Sequence, residues 1–277
     1  MASEETNSTP KASSSGANSS STQNDTLTLK EKLLILANTM QFAWFIGHVL
    51  TLVFGFVYFL TYRSTNSKLN YSSYKLMYLS IIESFGIILY QSYKSKNLKI
   101  DKPLELLKND NVQYISIAIC LFAFIPIITI SSFPFLLFST FHSLTYLKSS
   151  LLPILPFNSN NICNKITNFI KKYNVISMQY SSVIELLTFI YILVSGLFWR
   201  KGYWISTIFY GLFIKLRFDT SKYTRDTLKI WEVNLDGLLS STSIPPQIKQ
   251  GWFSFKTLLK NYFSTPLVQS NAANKDE

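Results

Sequence analysis

Four ionisable side chains lie inside long apolar stretches of this sequence, where a charged group is unfavourable. They are His48, Glu83, His142 and Glu185. Ionisable groups at membrane depth are rare and often line proton or ion pathways. They also form hydrogen bonds that hold neighbouring helices together. The residue types therefore fit two roles: an ion or proton path that uses Glu83 and Glu185, or polar contacts between helices.

Other chemistry is difficult to build from this sequence. It contains no phosphate-binding loop, no glycine-rich dinucleotide turn and no Cys/His spacing typical of a metal site. Two histidines leave few candidates for a catalytic triad, and the two cysteines, Cys120 and Cys163, imply no disulfide framework. The sequence therefore predicts a protein that is not an enzyme and that has no cofactor and no metal site.

The composition indicates that these polar residues are carried by membrane helices. Hydrophobic residues make up 48% of the chain and charged residues only 15%, against roughly 25% in a typical soluble domain. The net charge of +11 would suggest nucleic acid in a soluble protein, but in a membrane protein it is typical of basic loops facing an anionic leaflet. The sequence therefore predicts an all-α, polytopic membrane protein that binds no nucleic acid.

About six hydrophobic segments follow one another along the chain. They cover about 41–62, 74–90, a run at 112–146 that is long enough for two, 176–199 and 203–218. The run at 112–146 has no Asp, Glu, Lys or Arg, and it predicts a hydrophobic hairpin turning near 131–134. One kinked helix is the alternative, since proline is tolerated in membrane helices. The last segment is short, and spanning, re-entrant and interfacial positions all fit it.

The charges between these segments predict the orientation of the chain. With six crossings, 21 of the 26 Lys and Arg residues lie on the side of the two termini and 5 on the other side. Basic residues accumulate on the cytosolic side of membrane proteins. We therefore expect cytosolic termini, a disordered Ser/Thr/Asn-rich tail at 1–26, a transmembrane domain at 27–218 and a cytosolic tail at 219–277.

The cytosolic tail contains two amphipathic stretches, and the second predicts a membrane-binding helix at 247–263. Its apolar side chains fill an arc of about 140° on a helical wheel, with lysines along one edge. The apolar members are Ile248, Trp252, Phe255, Leu258, Leu259, Tyr262 and Phe263, and the lysines are Lys249, Lys256 and Lys260. Bulky aromatics beside lysines are typical of a helix that lies in a membrane interface. Packing against the protein's own membrane domain is the alternative.

The first amphipathic stretch, at 221–239, carries a different pattern. Its apolar stripe includes Leu228, Trp231 and Leu235, and residues of both charges, among them Glu232 and Asp236, lie opposite. Mixed charges favour a helix that packs on protein over one that binds lipid.

Several short motifs give the chain a family resemblance between about 27 and 266. They are Asn38-Thr-Met-Gln-Phe-Ala-Trp-Phe45, Phe198-Trp-Arg-Lys-Gly-Tyr203, Lys215-Leu-Arg217 and Tyr223-Thr-Arg225. With the order of segments and the amphipathic tail, the chain resembles the fungal transmembrane nucleoporin or pore-membrane protein family, related to animal transmembrane protein 33.

The resemblance implies a function that the residues alone do not give. It implies residence in the endoplasmic reticulum and nuclear envelope, including the nuclear pore. It also implies a role in shaping or sensing curved membrane and in nuclear pore biogenesis or distribution, with the helix at 247–263 on the bilayer. Nucleoporins, import receptors and reticulon-type membrane proteins are the implied partners. A small transporter using Glu83 and Glu185 and an adaptor that recruits cytosolic partners through its tail are the alternatives.

Overall fold

The fold is entirely helical in the part of the chain that the structure, a computed structural model, describes. That part comprises residues 27–63, 67–98, 103–156, 159–242 and 244–267. The predicted all-α class is therefore confirmed. The predicted disordered tail at 1–26 lies outside the described residues.

Ten α-helices follow one another along the described ranges. They are α1 (Leu29–Ala37), α2 (Met40–Thr61), α3 (Ser67–Lys94), α4 (Pro103–Leu106), α5 (Asp110–Ala123), α6 (Phe133–Tyr146), α7 (Asn160–Leu197), α8 (Tyr203–Thr220), α9 (Lys222–Leu239) and α10 (Pro246–Ser264). By length and composition, α2 and α7 are able to cross a membrane, and α5 is a shorter apolar helix. The number of crossings stays a prediction.

Threonine side chains set the start of the first two helices. The Thr28 hydroxyl accepts from the Glu31 amide, and the Glu31 carboxylate accepts from the Thr28 amide. Together these two hydrogen bonds form a capping box at the N-terminus of α1. Thr39 caps α2 by accepting from the Phe42 amide. The chain therefore bends at Asn38–Thr39, directly before the first long apolar helix.

Small residues bring α2 and α3 close together as an antiparallel pair. Gly47, Thr51 and Gly55 recur every four residues and so share one face of α2. A methyl group at Gly47 would overlap the Ser84 hydroxyl of α3, and one at Gly55 would lie 2.5 Å from a methyl carbon of Leu136 in α6. Because lipid supplies no hydrophobic driving force between helices, such close backbone approach is how they associate in a membrane.

The charge-free run at 112–146 forms two helices joined by a turn, and not the single kinked helix that was the alternative. Helix α5 packs on α3 and α8, whereas α6 packs on α2 and α7. The turn lies earlier than expected, however. Helix α5 ends at Ala123, residues 124–128 are non-helical, and a 3-10 turn at Thr129–Ser132 leads into α6. Pro126 falls in the non-helical stretch, whereas Pro134 fits the first turn of α6, where no backbone N–H is needed.

Helix α7 joins two parts that the sequence presents as separate. The polar amphipathic stretch before residue 176 and the apolar segment at 176–199 form one helix of 38 residues, about 57 Å long at 1.5 Å per residue. A bilayer core is about 30 Å thick. The N-terminal part of α7 therefore extends well beyond one membrane thickness, and Phe169 in that part stacks on Phe141 of α6. Helix α9 packs against the middle of α7, where Ile176, Tyr180 and Val183 share a groove with Ile230 and Trp231.

The turn between α7 and α8 reverses the chain through two left-handed residues. Trp199 has φ 54° and Gly202 has φ 85°. A side chain at Gly202 would also lie 3.2 Å from the ring of Pro126, in the α5–α6 turn. The turn between α5 and α6 therefore meets the turn between α7 and α8 at one end of the bundle.

Replacing Gly202 by alanine tests this turn. We expect Gly202→Ala to lower the free energy of unfolding by about 1–2 kcal/mol, because a Cβ atom disfavours the left-handed region, and contact with Pro126 would add to the cost. Gly251→Ala is the matched control, since Gly251 lies inside α10 with no atom within 4 Å of the added methyl. It should stabilise the helix by about 0.5–1 kcal/mol.

Thermal unfolding of the two variants in detergent, followed by tryptophan fluorescence, gives the comparison. A lower free energy of unfolding in Gly202→Ala and a higher one in Gly251→Ala support the turn geometry. A Gly202→Ala variant as stable as the natural protein would contradict it.

Candidate functional site

The C-terminal end of α8 carries two buried cations that point in different directions. Lys215 is 2% exposed and Arg217 is 6% exposed. Two residues apart on a helix correspond to a rotation of about 200°, so the side chains leave opposite faces. Arg217 contacts the membrane helices and Lys215 contacts the tail, which makes this helix end the junction of the two parts.

Arg217 holds three helices together. Its Nη1 donates to Asp110 Oδ1 at 2.7 Å, and its Nε lies 3.7 Å from Glu185 Oε2. The guanidinium also lies 4.8 Å from the ring centre of Tyr114, whose hydroxyl donates to Glu185 Oε1 at 2.8 Å. Because a buried charge is tolerated only when it is paired, this network fixes α5, α7 and α8 in register.

Glu83 and Glu185, the two carboxylates that an ion path would use, are not brought together. Glu185 is 2% exposed and sits in the Arg217 network. Glu83 is exposed on α3. Glu185 contacts α5 through Tyr114 and α8 through Arg217, and its functional role stays a prediction.

The two histidines of the chain do meet, between α2 and α6. The rings of His48 and His142 lie 4.8 Å apart, and Trp44 packs edge-on against both of them. His48 Nδ1 is 3.0 Å from the Ser139 hydroxyl. Sequence reasoning singled out both residues but gave no reason to pair them.

Metal-binding side chains are dispersed in the described ranges. No three His, Cys, Asp or Glu residues there lie close enough to hold a metal ion. Cys120 and Cys163 are both free and partly buried. The described part of the chain therefore has no group of ligands around which metal chemistry could be argued.

The second cation, Lys215, fixes the C-terminal end of α10. Its ammonium group donates to Asp219 Oδ1 at 2.9 Å and to the carbonyl oxygen of Phe263 at 3.2 Å. The rings of Phe218, Tyr262 and Phe263 surround it at 5.5–5.8 Å. Asp219 Oδ2 also accepts from the Leu267 amide at 3.0 Å. The end of α10 is thus attached to the end of α8, beside the membrane helices.

The rest of α10, from Lys249 to Lys260, is fixed by α9 instead. Trp252 Nε1 donates to Asp236 Oδ1 at 2.7 Å, and Lys256 Nζ lies 2.8 Å from Asp236 Oδ2. Lys260 Nζ pairs with Glu232 Oε1 at 2.9 Å. Lys249, the remaining lysine of this edge, lies near the Ser240 carbonyl. The predicted lysine edge therefore faces the acidic side chains of α9.

These contacts divide the apolar arc of α10 into two halves. Trp252, Leu259 and Phe263 are half-buried against the protein. The other half is exposed, from 51% to 67% of each side chain. It consists of Ile248, Phe255, Leu258 and Tyr262, here termed the α10 apolar edge. Phe253, which lies outside the predicted arc, is 66% exposed.

The partnership of α10 with α9 was missed by sequence reasoning, although a signal for it was present. Glu232 and Asp236 are spaced four residues apart, as are Lys256 and Lys260. Matching i,i+4 pairs of opposite charge on two helices fit a charged interface between them. The sequence does not specify, however, which pairs of the chain's charges meet.

The charges in this interface perturb one another. Hydrogen bonds from Lys256 and Trp252 lower the pKa of Asp236 below its ordinary value. The hydrogen bond to Asp236 raises the pKa of Lys256. Both shifts favour the charged forms, so the pair is ionised at neutral pH.

Comparisons with a family model and with individual proteins all point to one family. The family model described as Transmembrane protein 33/Nucleoporin POM33 matches residues 21–262. Pore membrane protein of 33 kDa from Saccharomyces cerevisiae is 34% identical over 83% of this chain and 86% of its own length. Pore and endoplasmic reticulum protein of 33 kDa from the same yeast is 34% identical, over 80% and 90%.

A third relative extends the comparison to fission yeast. Tetra-spanning protein 1 from Schizosaccharomyces pombe is 30% identical over 86% of this chain and 90% of its own length. No solved structure matches the chain.

Acidification tests the contact between α9 and α10. Because the folded-state pKa of Asp236 is lowered, the contact is stable above the ordinary aspartate pKa of about 4 and is lost as the pH falls through the lowered value. We expect the Trp252 emission, isolated by subtracting a Trp252→Phe variant, to shift to longer wavelength over that range.

The control for this titration is Asp236→Asn, which removes the titrating group. Its Trp252 emission should be shifted already at neutral pH and should not change over the same acidic range. A titration that is the same in Asp236→Asn would contradict the assignment to Asp236.

Removal of Arg217 tests the buried network. Arg217→Met leaves the Glu185 carboxylate buried without its cation, which we expect to cost about 3 kcal/mol of unfolding free energy. Adding Glu185→Gln should recover part of that loss, because the unpaired charge is then gone. Lys222→Met, which removes an exposed cation five residues away, is the control and should change stability by less than about 0.5 kcal/mol. Equal losses in Arg217→Met and Lys222→Met would contradict the network.

Proposed function

This chain belongs to the Transmembrane protein 33/Nucleoporin POM33 family, and we propose that it shapes or senses curved membrane in the endoplasmic reticulum and nuclear envelope. In this proposal it is a non-enzymatic protein that supports the biogenesis or distribution of nuclear pore complexes. The names of two relatives speak of the pore membrane and of the pore and endoplasmic reticulum. Those names support the proposed location. The exposed side chains of the tail support the proposed way of binding the membrane.

The observation that carries the proposal is the position of the α10 apolar edge. This edge is a row of large side chains left exposed on a helix whose other half is attached to the protein. Its C-terminal end is held beside the end of α8, next to the membrane helices. An exposed apolar row in that position is suited to insertion at the boundary between headgroups and acyl chains. Insertion into one leaflet favours positive curvature, or detects it where lipid packing is loose.

The ion pairs of the α10 lysines bear on which property of the membrane the α10 apolar edge would recognise. Lys256 and Lys260 are paired with Glu232 and Asp236 of α9, so their charges are partly neutralised. Each unpaired lysine near an anionic surface contributes about 1 kcal/mol to binding. We therefore propose that the edge responds more to loose lipid packing than to anionic lipid.

The proposed orientation has both termini in the cytosol. The Lys and Arg distribution supports it. The fission-yeast relative's name speaks of four spans, and four or six crossings both put the two termini on the same side. Helix α8 has 18 residues, about 27 Å at 1.5 Å per residue, which suits the thinner bilayer of the endoplasmic reticulum.

The proposed partners are the lipid bilayer, nucleoporins, import receptors and reticulon-type membrane proteins. An adaptor that recruits proteins through its tail is the second candidate function, because the α10 apolar edge is equally suited to a protein surface. No specific contact favours a transporter, since Glu185 is held by Arg217 and Glu83 lies outside that network.

Two charge insertions that differ only in their helix face test the proposal. We expect Phe255→Glu with Leu258→Glu to weaken membrane contact of the tail by about 3 kcal/mol, a factor of about a hundred, because two apolar side chains are lost. The tagged full-length protein should change from puncta at the nuclear rim to an even signal over the endoplasmic reticulum. Thr257→Glu with Asn261→Glu adds the same charge to the exposed polar side and should leave the puncta in place.

A fluorescent label separates lipid from protein as the target. An environment-sensitive dye on Leu258→Cys, in a chain with Cys120→Ser and Cys163→Ser, should emit at shorter wavelength in small proteoliposomes than in large ones. An emission that ignores vesicle size would overturn curvature sensing. Rim puncta that survive Phe255→Glu with Leu258→Glu would overturn the role of the edge. Trp252 is unsuitable for this test, because its loss would also detach α10 from α9.

A further inference from the structure

Helix α3 has a second face that the fold leaves uncovered. Its positions recur at alternating intervals of three and four residues, the spacing at which helices pair. They are Ser72, Leu76, Leu79, Glu83, Gly86, Tyr90 and Tyr93, here termed the outer α3 face. All of them are exposed except Gly86, which is half-exposed. The face runs for about 32 Å along the helix.

The opposite side of α3 makes all of its close packing. Tyr74, Met77, Tyr78 and Ile81 are at most 1% exposed and face α2 and α5, the helices that α3 contacts. The outer α3 face is therefore not needed for the fold of a single chain in the described ranges.

Glu83 lies in the middle of the outer α3 face and at membrane depth. Its neighbour Ser84 packs on Gly47, the eighth residue of α2, which is about 11 Å from the start of that helix. Among the described residues Glu83 has neither a hydrogen bond nor an ion pair. A carboxyl group facing hydrocarbon without a partner is strongly unfavourable.

Gly86, one turn further along α3, is not required to be glycine by packing among the described residues. A methyl group there would make only ordinary contact with Ile115, at 3.9 Å. Gly47 and Gly55, by contrast, are required by neighbours of the same chain. A glycine that its own chain does not require, beside an unpaired carboxyl group, fits the close approach of another helix.

We propose that the outer α3 face binds the same face of a second copy of this chain, as a parallel pair of helices. All copies have the same orientation in the membrane, so a symmetric pair places Glu83 opposite Glu83 of the second copy. The two carboxyl groups then lie within reach of a hydrogen bond to each other, which neither finds among the described residues of the single chain. By symmetry, a second copy places its own Glu83 at the depth where a hydrogen-bonding partner is needed. The hydrocarbon of the lipid offers no such partner, and a different protein would need a polar residue at the same depth.

Disulfide cross-linking of the full chain tests the pair. In a Cys120→Ser, Cys163→Ser background, Leu79→Cys places a thiol on the outer α3 face, and Phe56→Cys places one on α2 at a side chain that is 65% exposed. In proteoliposomes treated with a mild oxidant, we expect Leu79→Cys to form a covalent dimer and Phe56→Cys to stay monomeric.

The role of Glu83 is tested in the Leu79→Cys chain. Glu83→Gln keeps a hydrogen-bonding group and should keep the cross-link, whereas Glu83→Leu should reduce the cross-linked fraction about tenfold. Because Glu83 is exposed in the single chain, neither change should alter the helix content measured by circular dichroism.

Three results would overturn the proposal. The first is equal cross-linking of Leu79→Cys and Phe56→Cys. The second is a Leu79→Cys cross-link that is unchanged by Glu83→Leu. The third is a cross-linked product in native membranes whose mass shows a different protein in place of the second copy.

Discussion

The fold depends on the pairing of two buried cations, Lys215 and Arg217, at the C-terminal end of α8. Arg217 donates to Asp110 and lies beside Glu185 and the Tyr114 ring, although its Nε and Glu185 Oε2 are 3.7 Å apart and form no hydrogen bond. Two residues away, Lys215 is satisfied by Asp219 and the end of α10. If either cation lost its partners it would be buried and uncompensated, a state that costs several kcal/mol. The arrangement of the membrane helices and the position of the tail are therefore set by the same helix end.

The tail helix shows how one amphipathic pattern can serve two contacts. Its inner half packs on α8 and α9 through Phe263 and Trp252, and its outer half remains exposed. Self-packing, one of the two alternatives that the sequence leaves for the whole arc, applies to the inner half, and lipid binding stays a proposal for the outer half. Attachment by the inner half orders the helix before it meets a membrane, which lowers the entropy lost on binding.

Sequence reasoning predicted the helices well, because long apolar runs and amphipathic periods are local signals. Helices α2 and α8, for example, begin and end within two residues of the predicted segments 41–62 and 203–218. It wrongly divided α7 into two parts, because a change from polar to apolar composition does not break a helix. It singled out Glu185, the two histidines and the lysines of α10, but not their partners. Those partners lie on other helices, up to 94 residues apart for the two histidines, and composition and periodicity carry no information about such pairs.

The length of α7 has a mechanical consequence. This helix is an uninterrupted rod of 38 residues that ends at the turn beside Pro126, and Ile176, Tyr180 and Val183 near its middle face α9. Over the roughly 25 Å between Tyr180 and the C-terminal end of α7, a tilt of about 10° moves the contact with α9 sideways by about 4 Å. A helix whose tilt follows the local bilayer thickness is therefore also a lever, and a change in bilayer thickness would be transmitted as displacement of the α9–α10 pair.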